Sequence, residues 1–433
     1  MSTTPPALPG PVGGVRPLRL SELLRRPVTD KDGQSLGRLS DVIVRLRGTG
    51  YPVVTGLVVS VGGRSLFVPI EQMAVLDGAE LRLTSARLDL RQFERREGEV
   101  LLRADVLGHR LLDVESAHLI RAADLEVAPG NGEWAVVGVD TRRRPRRLFG
   151  HSADQGQRAF REWDKFEPLI GHAGSARSRY PFGRIRRLKP AQIADLLEGA
   201  SKDEETEILG HVHADPELEA DVFEELDEDR ASRLLGARTD AEVASVLARM
   251  RPDDAADAIG ELPQARRQPV LDLLPPPART KIMTLMGFNP ASAGGLMGVD
   301  FVVIPATAHV AEAIAAVAAA TNVQPEAITS VHAVDKRGKL RGVASLVKLV
   351  QAAPDSPLAE VWDDDPVRVG ADTDVVDVAV LMSDYNLITV PVVDEQRRMI
   401  GLITVDDVLE ATLPDDWRRR EAAEPPDAHR GSQ

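Results

Sequence analysis

The chain of 433 residues contains no cysteine, few aromatic side chains (4%) and no long apolar run. The lack of cysteine excludes disulfides and thiolate metal sites. No stretch of about 18 consecutive apolar residues occurs, so the sequence predicts no membrane span. The alanine-rich segment 310–320 is shorter and contains Glu312. Residues 1–14 lack the basic-then-apolar order of a signal peptide. These absences predict a cytoplasmic protein.

Acidic residues outnumber basic ones, 67 to 53, and the formal net charge is −14. This charge argues against a general nucleic-acid binder, because phosphate backbones repel it. The length predicts about three domains. No nucleophile stands beside a base in any recognisable pattern, and no phosphate-cradling glycine loop occurs. We therefore expect no enzymatic activity.

A junction near the end of the chain, residues 399–410, carries the clearest functional pattern. An apolar strand runs into a tight turn and then into a helix, with Thr404 at the end of the strand and Asp407 three residues later. Backbone N–H groups at a helix start attract phosphate, and Thr404 can hydrogen-bond the same phosphate. Asp407 can accept hydrogen bonds from two vicinal ribose hydroxyls. The alternative is a junction that only packs.

This pattern, Gly-x-apolar-Thr-x-x-Asp at 401–407, resembles the end of a CBS (cystathionine-β-synthase) domain, a family that binds adenosine nucleotides. The resemblance implies an adenosine nucleotide such as ATP as the ligand. The nucleotide-binding candidates are Thr389, Pro391, Thr404 and Asp407.

An internal repeat supports this resemblance. Asp335 and Gly342 recur as Asp394 and Gly401, each 59 positions later, and a constant offset marks a repeated unit. Two copies make a CBS pair. Lys348 of the first copy stands where the second copy has Asp407, and lysine cannot accept hydrogen bonds from ribose. We therefore predict the nucleotide site in the second copy.

A second repeat lies between residues 185 and 286, where segments of the same form begin at Leu226, Met250 and Leu274, 24 residues apart. Proline or an acid in the first turn and apolar residues at helical spacing predict stacked helical units. The sequence Ser-Ala-Gly-Gly-Leu-Met at 292–297 then leads into the first CBS copy.

The helical repeat, this junction and the CBS pair, in that order, resemble the cytosolic half of magnesium transporters of the MgtE family, over about residues 185–413. In that family a membrane domain follows the CBS pair, whereas here a polar tail follows. The resemblance therefore implies a sensor half that does not itself transport ions.

The resemblance also implies Mg²⁺ between acidic faces of the helical domain and the CBS pair. The matching positions are Asp253, Asp257, Asp374, Asp407 and Glu410. Clustered carboxylates repel one another unless a cation lies among them. Val376 and Asn386 stand where the family would have carboxylates, which implies fewer or weaker sites. The alternative is that these are ordinary solvated acids. His211 and His213, two positions apart on a helix, do not face together and are predicted to be surface histidines.

Residues 32–42 resemble the opening of a PRC-barrel, a small β-barrel found in ribosome-maturation factors and photosynthetic reaction centres, and residues 107–114 echo it. The predicted fold is therefore multidomain. Its parts are a disordered arm at 1–15, an all-β PRC-barrel-like domain of one or two units at 16–140, a basic linker at 141–184, an all-α superhelical MgtE N-like domain at 185–296, α/β CBS copies at 297–355 and 356–413, and a polar tail at 414–433.

We expect a regulatory protein that forms a homodimer through its CBS pair, senses an adenosine nucleotide and Mg²⁺, and signals to an unidentified protein partner. A membrane transporter is one candidate partner, which would place the protein peripherally at the membrane. Two alternatives remain open. One is a ligand-free scaffold. The other is an RNA- or ribosome-associated factor, since arginines and aromatics alternate in the basic linker.

Overall fold

The computed structural model describes residues 17–46, 50–76, 78–84, 93–96, 98–130, 133–142, 160–169, 184–321 and 323–413. The chain divides into two compact units, one up to Val222 and one from Phe223 onward. The predicted arm, most of the basic linker and the polar tail lie outside the described residues. Within the described ranges, no helix is long and apolar enough to cross a membrane.

The first unit is built mainly of β-strands. These are β1 (Leu18–Arg19), β2 (Pro27–Thr29), β3 (Ser35–Arg45), β4 (Val53–Val61), β5 (Arg64–Pro69), β6 (Met73–Val75), β7 (Leu81–Leu83), β8 (Glu99–Leu101), β9 (Arg110–Asp113), β10 (His118–Arg121), β11 (Asp124–Gly130), β12 (Glu133–Asp140), β13 (Arg161–Glu162) and β14 (Phe166–Pro168). Its helices are α1 (Leu20–Leu23), α2 (Pro190–Gly199), α3 (Lys202–Val212) and α4 (Pro216–Glu224), the last of which crosses the boundary between the units.

An eleven-stranded sheet contains most of these strands, in the order β1-β11-β12-β4-β3-β2-β7-β6, with β5, β8 and β13 paired alongside. The antiparallel pair β3 and β4 brings Leu39 opposite Val59, and both side chains are buried. β-branched and leucine side chains fill this core because they pack well on a pleated surface. A small sheet in the order β10-β9-β14 completes the described β region.

Two strands come from the segment predicted to be a basic linker. β13 pairs with β12, and β14 pairs with β9. Trp163 and Phe166 are buried in the same core cluster as the sheet. The Arg161 guanidinium donates to both carboxylate oxygens of Asp113, at 2.5 and 2.8 Å. The linker prediction is therefore wrong for residues 160–169, because their aromatic side chains are part of the β core.

His211 also differs from its prediction. It is fully buried on the inner face of α3. Ile208, three positions before it, and Val212, one position after it, are buried as well. The side chain of His213, two positions later, is 67% exposed. The two histidines do face apart, as their spacing predicted, but only His213 is a surface residue.

The second unit begins with a run of helices in which every second helix starts 24 residues after the previous one. The helices are α5 (Glu228–Gly236), α6 (Asp240–Leu247), α7 (Pro252–Glu261), α8 (Gln264–Leu273) and α9 (Pro276–Leu285). Pro252 and Pro276 occupy the first turns of α7 and α9, where a proline lacks only an N–H that no helical carbonyl would accept. Helix α7 packs against α5 and α9, so the 24-residue repeat corresponds to packed neighbours.

The CBS copies follow with the same elements in the same order. The short helix α10 (Ala293–Leu296) lies in the junction before them. The first copy has β15 (Val303–Pro305), α11 (Val310–Ala319), β16 (Ser330–Val334), β17 (Leu340–Ser345) and α12 (Leu346–Gln351). The second copy has β18 (Val369–Gly370), α13 (Val375–Tyr385), β19 (Thr389–Val393), β20 (Met399–Thr404) and α14 (Val405–Thr412). Each copy has a three-stranded sheet with one parallel and one antiparallel pair. The hydroxyls of Ser330 and Thr389, equivalent residues of the two copies, meet at 2.8 Å.

The junction at 292–297 docks on the second copy through its backbone. Ala293 N donates to Thr373 O at 2.7 Å, and Gly294 N donates to Ala371 O at 2.8 Å. A Cβ on Gly295 would lie 2.4 Å from the backbone oxygen of Asn289. The close approach of two chain segments therefore explains why this junction contains glycine.

Candidate functional site

The turn from β20 into α14 holds the two residues that the sequence singled out. Asp407 Oδ2 accepts hydrogen bonds from Thr404 N at 3.0 Å and from Thr404 Oγ1 at 2.6 Å. Both side chains are buried. In the first copy the equivalent turn is simpler, because Ser345 Oγ accepts from Lys348 N at 3.3 Å. The second copy therefore presents a buried carboxylate, and its Oδ1 points away from the turn.

The expected role of Thr404 changes with this geometry. A hydroxyl has one hydrogen to donate, and here that hydrogen goes to Asp407. Thr404 cannot donate to a phosphate at the same time. In this arrangement Thr404 instead holds the carboxylate of Asp407 in position.

Arg251, which no pattern in the sequence singled out, contacts the Oδ1 side of that carboxylate. It directly precedes α7, and its Nη1 donates to Asp407 Oδ1 at 2.9 Å. Its Nε donates to Asp254 Oδ2 at 2.5 Å, and its backbone N donates to Glu224 Oε1 at 2.6 Å. Glu410 lies 3.9 Å from its Nη2. One guanidinium thus connects the start of α7 to α14.

Burial and neighbouring charges shift the titration of this cluster. Burial raises the pKa of Asp407, against the hydrogen bond from Thr404 and the charge of Arg251. Burial also raises the pKa of Asp253, and the nearby Asp407 adds to that rise. Burial opposes the charge on Arg251, but the carboxylates of Asp254 and Asp253 outweigh it and raise the pKa of the guanidinium. The arginine is therefore charged at any physiological pH.

A cavity of about 200 Å³ opens at this place. Asp407 and Thr404 line it from the second copy, Gln324 from the first copy, and Arg251 and Asp253 from the helical domain. All of these segments belong to the second unit.

The other two nucleotide-binding candidates lie on the neighbouring strand. Thr389 is opposite Thr404 and Pro391 is opposite Leu402 in the antiparallel pair β19 and β20. The structure therefore brings all four nucleotide candidates onto two adjacent strands and the helix that follows them.

The five candidate metal ligands are not gathered in the same way. Asp253, Asp407 and Glu410 lie around Arg251. Asp257 is exposed on α7, and Asp374 caps α13 by accepting from Val376 N at 2.8 Å. Across the described ranges, no group of three or more acidic or histidine side chains is arranged to hold a metal ion. The carboxylates here do not fit Mg²⁺, because a guanidinium already lies among them.

A weak signal for Arg251 does exist in the sequence. A basic residue just before a helix opposes the positive end of the helix dipole, and such a residue needs acids nearby. Asp253 and Asp254 in the first turn supply them locally. The pairing with Asp407 spans 156 residues and has no local signature.

Fold and site together define a class: a helical-repeat domain joined through a glycine junction to a CBS pair. Comparisons with known proteins show which families these two parts resemble. The MgtE intracellular N domain matches residues 188–291 and the CBS domain matches residues 358–413. The chain is 37% identical to the magnesium transporter MgtE of Thermus thermophilus over 181 residues, which are 40% of each chain. It is 31% identical to MgtE of Enterococcus faecalis over 130 residues, 30% of this chain and 28% of that protein.

Among solved structures, the cytosolic domain of the Mg²⁺ channel MgtE in complex with ATP matches with a TM-score of 0.50 and 28% identity. The match covers 55% of this chain and 93% of that one. The resemblance to the cytosolic half of MgtE transporters is thus confirmed, as is the multidomain fold class. The chain spans less than half the length of these two transporters.

Proposed function

We propose that this protein is a regulatory module of magnesium homeostasis that binds an adenosine nucleotide in its second CBS copy and signals to a protein partner. It acts in the cytoplasm, as a regulator rather than a catalyst. The observation that carries the proposal is the buried Asp407 carboxylate beside a cavity, in a domain related to one crystallised with ATP.

The chemistry of the cavity suits a nucleoside. Asp407 is an acceptor-only group and can receive both ribose hydroxyls when its Oδ1 is available. Thr404 keeps the carboxylate from rotating, because it bonds Oδ2 through both its backbone and its side chain. The first copy has Lys348 at the equivalent position, so one site per chain is expected.

A homodimer through the CBS pair is part of the proposal. Helix α13 exposes Val376 (62%) and Val380 (52%), and α14 exposes Leu409 (49%). Large apolar side chains that cluster on adjacent helices favour association with a complementary surface. We assign this surface to a second copy of the CBS pair.

The RNA-binding alternative receives less support. Arg184 at the end of the basic linker and Arg186 just after it are engaged within the first unit. Arg184 Nη1 donates to Phe166 O at 2.7 Å, and Arg186 pairs with Asp215. These two arginines contribute to the packing of that unit.

Calorimetry with ATP, ADP and AMP tests the nucleotide site. Asp407→Ala should weaken binding at least about tenfold, because a hydrogen bond to a charged group contributes roughly 1.5–3 kcal/mol. Lys348→Ala is the matched control and should bind as the wild type does. Equal losses in both variants, or none in Asp407→Ala, would contradict the site assignment.

The partner is tested by capture of interacting molecules on the full chain. Recovery of a membrane transporter would support the proposal, whereas selective recovery of RNA would favour the ribosome-associated alternative.

A further inference from the structure

The Asp407 carboxylate cannot serve Arg251 and a ribose at once. A carboxylate has about four lone-pair sites. Thr404 uses two of them on Oδ2, and Arg251 uses one on Oδ1. One site remains, but two ribose hydroxyls need two. One present partner must therefore leave before a nucleotide binds in full.

The partner that leaves is Arg251. The bonds from Thr404 lie within the same turn, three residues apart, and hold in any position of the helical domain. Arg251 instead belongs to the helical domain, where Asp254 accepts from its Nε and Glu224 accepts from its backbone N. When its bond to Asp407 breaks, the guanidinium keeps Asp254 as a hydrogen-bond partner and Glu224 at 3.8 Å from Nε, so the cost of withdrawal is small.

The size of the cavity agrees with this order of events. At about 200 Å³ it is smaller than the roughly 300–1,000 Å³ of ordinary ligand pockets. Arg251 and Asp253 form its wall on the side of the helical domain. Withdrawal of the start of α7 would enlarge the cavity and free Asp407 Oδ1.

Electrostatic repulsion then keeps the two sides apart. Asp253 lies close enough to Asp407 for the two charges to interact, and Glu410 lies on the same helix as Asp407. Without a cation between them these carboxylates repel. A bound nucleotide adds further negative charge at the same place.

From these observations we propose that Arg251 is a built-in bridging cation between α7 and α14, and that it competes with the nucleotide for Asp407. Nucleotide binding therefore releases the start of α7 from the second CBS copy. The competition rests on the nucleotide site proposed above, whereas the bridge does not. The sequence predicted Mg²⁺ as the bridging cation, but the structure has an arginine there, so the resting contact needs no divalent ion.

Hydrogen exchange of the full chain without nucleotide tests the bridge. The amides of α14 are followed in MgCl₂ and in KCl at matched ionic strength. In the wild type we expect the same protection in both salts. In Arg251→Gln we expect about tenfold faster exchange in KCl, which corresponds to ~1.4 kcal/mol, close to one charge-assisted hydrogen bond. MgCl₂ should restore part of the protection in that variant.

Two variants control the exchange experiment. Arg279→Gln removes the same charge from the helical domain, but Arg279 Nη1 donates to Asp272 of α8, so α14 should exchange as in the wild type. Arg251→Lys keeps the positive charge and should stay insensitive to Mg²⁺. Equal exchange in Arg251→Gln and Arg279→Gln would overturn the bridge. The bridge would also be overturned if Mg²⁺ slowed exchange of the α14 amides in the wild type as strongly as in Arg251→Gln.

Titration with ATP tests the competition. Arg251→Gln should bind ATP about tenfold more tightly than the wild type, because one competitor for Asp407 is gone. Weaker binding would mean that Arg251 contacts the nucleotide and would overturn the competition. Absence of binding in both proteins would refute the nucleotide site itself, and the exchange experiment would still decide whether Arg251 is the bridge.

Discussion

Replacing Asp407 should destabilise the second unit, and two substitutions separate the reasons. Asp407→Ala removes the acceptor for Thr404 and the partner of Arg251 together. Asp407→Asn keeps an oxygen that can accept from Thr404 but removes the negative charge. The difference in stability between the two variants therefore measures the contribution of the hydrogen bonds from Thr404. The stability lost in Asp407→Asn measures the contribution of the ion pair with Arg251.

The expected magnitudes follow from the surroundings of each bond. Loss of a helix cap costs typically about 1 kcal/mol. A charge-assisted hydrogen bond contributes roughly 1.5–3 kcal/mol, but two effects reduce this. Arg251 retains Asp254 as a partner, and its side chain is 21% exposed. Removal of the Asp407 carboxylate also removes the desolvation penalty of a buried charge, the same penalty that raises the pKa of Asp407. We expect losses of about 1–2 kcal/mol for Asp407→Asn and about 2–3 kcal/mol for Asp407→Ala.

The assay has to report on this part of the chain, because unfolding of a multidomain protein is not a single transition. Native-state hydrogen exchange of peptides from β20 and α14 gives a local opening free energy. Asp406→Asn is the control. Asp406 is exposed and adjacent to Asp407 on the same helix, so its replacement should change the opening free energy by less than about 0.5 kcal/mol.

Three results would refute this reasoning. The first is that Asp406→Asn lowers the opening free energy as much as Asp407→Asn does. The second is that Asp407→Asn leaves the opening free energy unchanged, and the third is that the two Asp407 variants are equally stable. The first would mean that net charge rather than the Arg251 contact matters. The second would remove the ion pair from the account, and the third would remove the cap.

Three further predictions concern other parts of the second unit. The side chain of Asp257 is exposed, but partial desolvation by the surrounding protein atoms and the neighbouring acids raise its pKa from 3.8 to about 6. The stability that this carboxyl contributes is therefore present below its unfolded pKa and is lost as pH rises through about 6. Between about pH 4 and about pH 7, Asp257→Asn should lose less local opening free energy in α7 than the wild type does, measured by native-state hydrogen exchange, and equal losses would contradict this. Gly295→Ala should destabilise the junction by about 1–3 kcal/mol, because its Cβ would meet a backbone oxygen. Gly260→Ala, in open space on α7, should be neutral or stabilising by ~0.5–1 kcal/mol in the same exchange assay. Replacing both Val376 and Val380 by lysine should convert a dimer into a monomer in light scattering, and a monomeric wild type at micromolar concentration would refute the dimer.

The sequence by itself determined the repeated architecture, because that information lies in short windows. The last two strands and the last helix of the second CBS copy begin 59 positions after their counterparts in the first, as in the pair β17 and β20. Helices α5, α7 and α9 begin 24 positions apart. Apolar spacing and helix-start residues act over a few positions. The turn from Thr404 to Asp407 is equally local, so the sequence alone identifies its residues.

The tertiary structure alone decided which partners these residues meet. Nothing near Asp407 in the sequence points to Arg251, which lies 156 positions away, and nothing near His211 shows that α3 turns it inward. Residues 160–169 became strands because Trp163 and Phe166 pack into a core formed by distant segments. A local pattern specifies which side chains are charged or apolar, but packing between elements far apart in the chain decides whether a carboxylate meets an arginine or a metal ion.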